Sequence, residues 1–88
     1  MTSEGQRWLR GGRPRAHARL RERAQERLLE RAAEQRDMVR WWAAECRQRN
    51  AACRRRFSAA NVAAASEARA ILRDYARAWS RTRALLHG

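Results

Sequence analysis

The side chains of this sequence that can do chemistry are mostly arginines, and their spacing points to phosphate binding. Arg69, Arg73, Arg77 and Arg81 stand at strict i,i+4 intervals. On a helix that interval sets four guanidinium groups in one gently spiralling row, about 6 Å apart along the axis. Successive phosphates of a nucleic-acid strand repeat at a similar distance, and the planar guanidinium meets phosphate oxygens in pairs. Only Glu67 and Asp74 lie nearby to offset the row, and Arg83 extends it. A merely solvated helix face usually interleaves its charges, so the shortage of acids here favours a binding role.

A second candidate is the cluster Arg47, Arg49, Arg54, Arg55 and Arg56, which stands in a stretch without a single acid. The plainer reading of such a run is a nuclear-import signal. A third set, Arg7, Arg10, Arg13 and Arg15, surrounds Gly11-Gly12 near the N-terminus. Between the first and third sets the charge is spread unevenly. Residues 1–16 carry +3, 17–45 only +1, 46–56 +5 and 57–88 +3, for a total of +12. All 21 basic residues are Arg. Such a charge repels itself on compaction and attracts polyanions.

The near-neutral segment has its own order. Glu22, Glu26, Glu30 and Glu34 form one i,i+4 column, and Arg19, Arg23, Arg27 and Arg31 form the adjacent one. Pairs between them can bridge on a solvated face, each contributing a few tenths of a kcal/mol. The alternative is a charged strip that selects a partner helix, as e and g positions do in coiled coils.

The four Trp divide by setting. Trp42 and Trp79 fall on the apolar stripe and belong to the core. Trp41 points about 100° away from Trp42, and Trp8 sits between Arg7 and Leu9 on a basic arm. Trp8 and Trp41 are therefore the candidates for stacking on bases.

Other chemistry is missing. His17 and His87 stand alone near opposite ends, and Cys46-x6-Cys53 with remote His does not match a zinc site. No phosphate-cradling Gly loop and no nucleophile–base set can be assembled. We therefore expect a binding protein, not an enzyme, with no metal and no cofactor. On a helix the two Cys lie about 10 Å apart along the axis, beyond disulfide reach. Reduced thiols suit an intracellular, reducing compartment, cytoplasmic or nuclear. No apolar run approaches the ~18–20 residues of a membrane span, and the first 30 positions hold no signal-peptide core. Glu4, Glu22, Glu26 and Glu30 argue against reading the Arg-rich start as a transit peptide.

These side chains need a scaffold, and the composition supplies one kind only. Pro14 is the only Pro, and no Gly lies between Gly12 and Gly88. Ala, Arg, Leu, Glu and Gln dominate and β-branched residues are scarce, so the fold class is all-α. Gly11-Gly12 and Pro14 mark residues 1–13 as a flexible basic arm and 14–88 as a single helical domain. Leu20, Ala24, Leu28, Ala32, Val39, Trp42 and Cys46 fall at helical spacing. So do Phe57, Ala60, Ala64, Ala68, Ile71, Tyr75, Trp79 and Leu86. Asn50 can close a helix in the left-handed conformation, and Ser58 or Asn61 can cap the next. The expected architecture is a helical hairpin, about 14–48 and 58–86, with a basic turn. The alternative is one continuous helix of about 70 residues forming a coiled coil.

Nineteen of the apolar residues are Ala, so the core is small. A chain of 88 residues with that core calls for a partner, and a homodimer forming a four-helix bundle is the expected solution.

The resulting expectation is a small helical protein that binds nucleic acid through its backbone, with little base specificity. Duplex RNA leads duplex DNA, because stiff helices with Arg rows suit shape reading of the broad A-form minor groove. In composition and architecture the design is similar to the small helical RNA-silencing suppressors of RNA viruses. That resemblance implies a viral protein acting on duplex RNA. The competing expectation is a helical adaptor, assembly or virion-associated protein whose Arg surface docks an acidic protein.

Overall fold

The computed structural model describes the backbone from Ser3 to Gly88 and the side chains from Arg15 onward. Among these residues there are two helices and no strand: α1 (Ser3–Arg55) and α2 (Ala59–His87). The two pack against each other as a hairpin. The extents are 79 × 17 × 17 Å.

The boundaries differ from the expected 14–48 and 58–86. Helix α1 begins at Ser3, upstream of Pro14, and runs seven residues past Gln48 to Arg55. Asn50 does not close it, since among the described residues no non-Gly residue has positive φ. Tertiary contacts explain the extension. Residues 49–53 are half-buried against the start of α2, so unwinding there would expose them. The flexible arm proposed for residues 1–13 involves side chains outside the described residues, Trp8 among them.

Only residues 56–58 separate the helices, and two polar side chains define that turn. Ser58 is extended at φ −147°, ψ 157°, and its Oγ accepts from the Asn61 backbone N–H at 3.2 Å. This is an N-cap, as expected for Ser58. Asn61 does something else. Its Nδ2 donates back to the Arg56 carbonyl at 2.7 Å, giving that group a partner just past the end of α1, and to that of Ala52 at 3.5 Å, which also accepts from the Arg56 N–H at 2.9 Å. Arg54 and Arg55 occupy the last turn of α1, where its dipole favours cations. Replacing Asn61→Ala is expected to cost about 1 kcal/mol, the ordinary net worth of a hydrogen bond. Urea unfolding followed by circular dichroism reads this as a lower midpoint with unchanged slope; no shift would deny Asn61 its locking role.

The seam is built from small residues. Ala32, Cys46, Ala65, Ala68 and Thr82 are its buried positions, and Ala68 is fully inaccessible. Larger stripe residues, among them Leu28, Val39, Trp42, Ile71, Tyr75, Trp79 and Leu86, flank it half-buried. The Thr82 hydroxyl donates to the Ala78 carbonyl at 3.1 Å, which lets it lie in the apolar seam. Four stripe assignments fail: Leu20, Ala24, Phe57 and Ala60 are all exposed. Ala60 is exposed, and Ala65 takes the inward place beside Ala68. Leu20 is exposed because the end of α2 reaches only the stretch Arg21–Leu28, where Leu85, Leu86 and Gly88 approach α1. Phe57 is 85% exposed because it lies in the turn, where helical periodicity no longer applies.

Among the described residues no large side chain is fully buried. The Nε1 of Trp42 and the Oε1 of Gln35 are closed off from solvent without a hydrogen-bond partner. Two helices in a single layer leave one side of each flanking residue open, and a pair of helices alone cannot do otherwise.

Candidate nucleic-acid interface

Helix α2 holds the 69–81 row on its outer surface because Ala65, Ala68, Ile71, Tyr75, Trp79 and Thr82 turn inward. Arg69, Arg73, Arg77 and Arg81 are all exposed. Among the described residues no carboxylate lies within 4.0 Å of any of the four, although Glu67 and Asp74 are neighbours in sequence. Arg69 Nη2 approaches Ser66 Oγ at 3.2 Å as a donor. Ser66, Arg69 and Arg73 line an open depression of about 450 Å³. From Arg69 to Arg81 the row extends about 18 Å along the helix axis. Arg83, expected to extend it, instead lies with its guanidinium carbon 5.0 Å from the Trp79 ring centroid. That cation–π contact covers an aromatic otherwise half open to solvent.

The turn cluster divides. Arg47, Arg54, Arg55 and Arg56 are exposed. Arg49, which the sequence placed with them, is engaged inside the hairpin. Its Nε donates to Glu45 Oε1 at 3.0 Å and its Nη1 to the Ala64 carbonyl at 2.9 Å. Glu67 stands 3.7 Å from the same Nη1, and the guanidinium carbon lies 5.6 Å from the Trp42 ring centroid. Arg49 thus ties α1 to α2 and is not a free phosphate donor. Spacing places Glu45 four residues before it, but only the crossing of α2 supplies the Ala64 carbonyl and Glu67 that draw it into the hairpin. Arg49→Ala is expected to lower hairpin stability by about 2 kcal/mol, as charged hydrogen bonds do. Arg47→Ala, with an exposed side chain, should leave thermal unfolding unchanged while reducing polyanion binding. Equal melting of both variants would remove the clamp.

The columns along α1 are arranged as a solvated face. Arg19, Arg23, Arg27 and Arg31 are exposed, as are Glu22, Glu26, Glu30 and Glu34, and no ion pair forms between the columns. At exposed positions such pairs gain little over hydration.

Trp41 is 55% exposed and meets Trp42 edge to face, with ring centroids 4.9 Å apart at 78°. Its outer face is open, as a stacking role requires. Trp8 lies outside the described side chains. The exposed aromatic that periodicity misassigned is Phe57, at the apex of the basic turn. Its signal was available, since it directly follows three Arg and precedes a capping Ser.

Cys46 and Cys53 are free thiols, the first buried and the second half-buried. Among the described residues no three His, Cys, Asp or Glu side chains group to hold a metal ion. No described helix is long and apolar enough to cross a membrane. Comparison with family models, curated proteins and solved structures finds no match.

Proposed function

We propose that this protein binds nucleic acid through arginine–phosphate contacts with little base specificity, duplex RNA being the first candidate and duplex DNA the next. The observation that carries this reading is the exposed 69–81 row, four guanidinium groups without a carboxylate within salt-bridge distance. Arg47 and Arg54 to Arg56 continue the positive surface around the turn. Neutralising phosphates with these groups releases condensed counterions, and that release supplies most of the affinity. A rigid helix presents the row without backbone ordering on binding, so only the arginine side chains lose freedom.

The binding unit in this proposal is a homodimer. Leu29 and Leu85 are exposed, and the open flanks of the seam need apolar cover. A second hairpin laid against the first completes a four-helix core and brings two Arg rows to one particle.

The test is a binding panel of duplex RNA, duplex DNA and single strands across a salt series. The expected result is a log–log slope of several units, roughly 0.9 per neutralised phosphate for duplex DNA. Failure to retain any of these at ~100 mM salt, where several phosphate contacts still hold a complex, would redirect the reading to an acidic protein partner.

A further inference from the structure

The tip of the hairpin combines an exposed ring, a run of arginines and a braced backbone, and phosphate binding alone makes no use of the ring. Phe57 is 85% exposed, the highest value among the exposed large apolar side chains. Arg54, Arg55 and Arg56, which immediately precede it, are exposed as well, and no acid occurs between Glu45 and Glu67. The backbone on both sides of the ring is held: Asn61 Nδ2 grips the Arg56 carbonyl, and Ser58 caps α2. The ring therefore stands on a braced turn, not on a loose loop, and little ordering accompanies contact with a ligand.

We propose that Phe57 is a stacking platform for an unpaired nucleobase, so that the hairpin tip engages the open end or overhang of a nucleic acid. This rests on the nucleic-acid reading and adds the recognition of an unpaired base to it. A paired base inside a duplex offers no free face, whereas a splayed base stacks on any aromatic ring and is sequence-tolerant in doing so. The neighbouring guanidinium groups hold the phosphates flanking that base. An anionic lipid surface could also receive a phenyl ring ringed by arginines. The charge distribution favours the strand, because exposed arginines resume on α2 at Arg69, about 15 Å along the axis from the start of that helix, and run on to Arg81. Arg81 lies about 33 Å along the axis from the start of that helix. A bilayer touched by the tip leaves that row unused, while a linear polyanion follows it.

The test compares the full chain with Phe57→Ala, Phe57→Leu and Phe57→Trp. The ligands are a blunt duplex, the same duplex with a short single-stranded overhang, and vesicles of phosphatidylcholine with phosphatidylserine. Helicity is checked for each variant, and the exposure of Phe57 leaves the seam untouched. The unsubstituted chain is expected to prefer the overhang duplex by on the order of tenfold, within the range of one base–aromatic stack. Ala and Leu abolish that preference, Trp keeps it, and blunt-duplex affinity and its salt slope stay unchanged. Salt-dependent duplex binding with no preference for the overhang overturns the stacking role and leaves the phosphate reading standing. Absence of binding to every nucleic acid overturns both. Vesicle binding that Ala removes and Leu retains, without an overhang preference, assigns the tip to lipid and overturns the proposal.

Discussion

Reversing two charges of the outer row, Arg73→Glu with Arg77→Glu, is expected to weaken duplex binding on the order of 60-fold or more at ~0.1 M salt. The magnitude follows from counterion release. Each neutralised phosphate contributes roughly 0.9 to the log–log slope, so over the decade between 0.1 and 1 M salt each contact accounts for roughly 0.9 decade of affinity. Two lost contacts remove about 1.8 decades, and two new carboxylates beside the backbone add repulsion. The salt slope should fall by about 2 units. Both side chains are exposed, and among the described residues neither is in an ion pair, so far-UV circular dichroism and the melting midpoint should hold. An unchanged slope would show that this face does not meet phosphate, however well other arginines bind.

The largest effect on the fold is expected at Ala68. It has no accessible surface and lies in the seam between α2 and α1. Ala68→Leu adds three carbons to a place with no room for them, and overpacking of this kind typically costs about 1–3 kcal/mol, sometimes more. In a two-helix hairpin with no fully buried large side chain among the described residues, that is a substantial part of the total. The expected result is a broader, earlier unfolding transition and weaker fluorescence signals of ordered Trp42 and Trp79, which flank the seam. Ala63→Leu is the control, because that position is exposed and tolerates the same side chain. Equal stability of the two variants would mean that the helices do not pack through Ala68. Loss of packing should also lower duplex affinity, since the Arg row then has no fixed support.

Much of the scaffold was legible from residue types alone. The absence of Gly and Pro between Pro14 and Gly88, with abundant Ala, Arg, Leu and Glu, leaves helix as the only regular structure available. Ser58 declared a helix start, because a hydroxyl before an Ala-rich run is well suited to accept the first free N–H groups. The i,i+4 spacing of Arg69, Arg73, Arg77 and Arg81 set them in one row on any helix, wherever it packed. All of these are local properties of the backbone, and neighbouring elements do not alter them.

What lay beyond the sequence depends on which surface α2 covers. Arg47 and Arg49 are two residues apart and chemically identical, yet one is exposed and the other is bound to Glu45, Ala64 and Trp42. Asn50 and Asn61 are the same residue type, but Asn61 alone finds the carbonyls that end α1. Phe57 sits at the right spacing for the stripe and still faces solvent; its place beside Ser58 hinted at a turn, but only the reversal of the chain there shows that periodicity ends before it. In each case the side chain's role was decided by where the chain reverses and how the two helices then meet, not by its spacing along one helix. Composition and spacing determine that there are helices and where arginines line up on them; contact between the two helices decides which arginines, aromatics and amides are left to meet a partner.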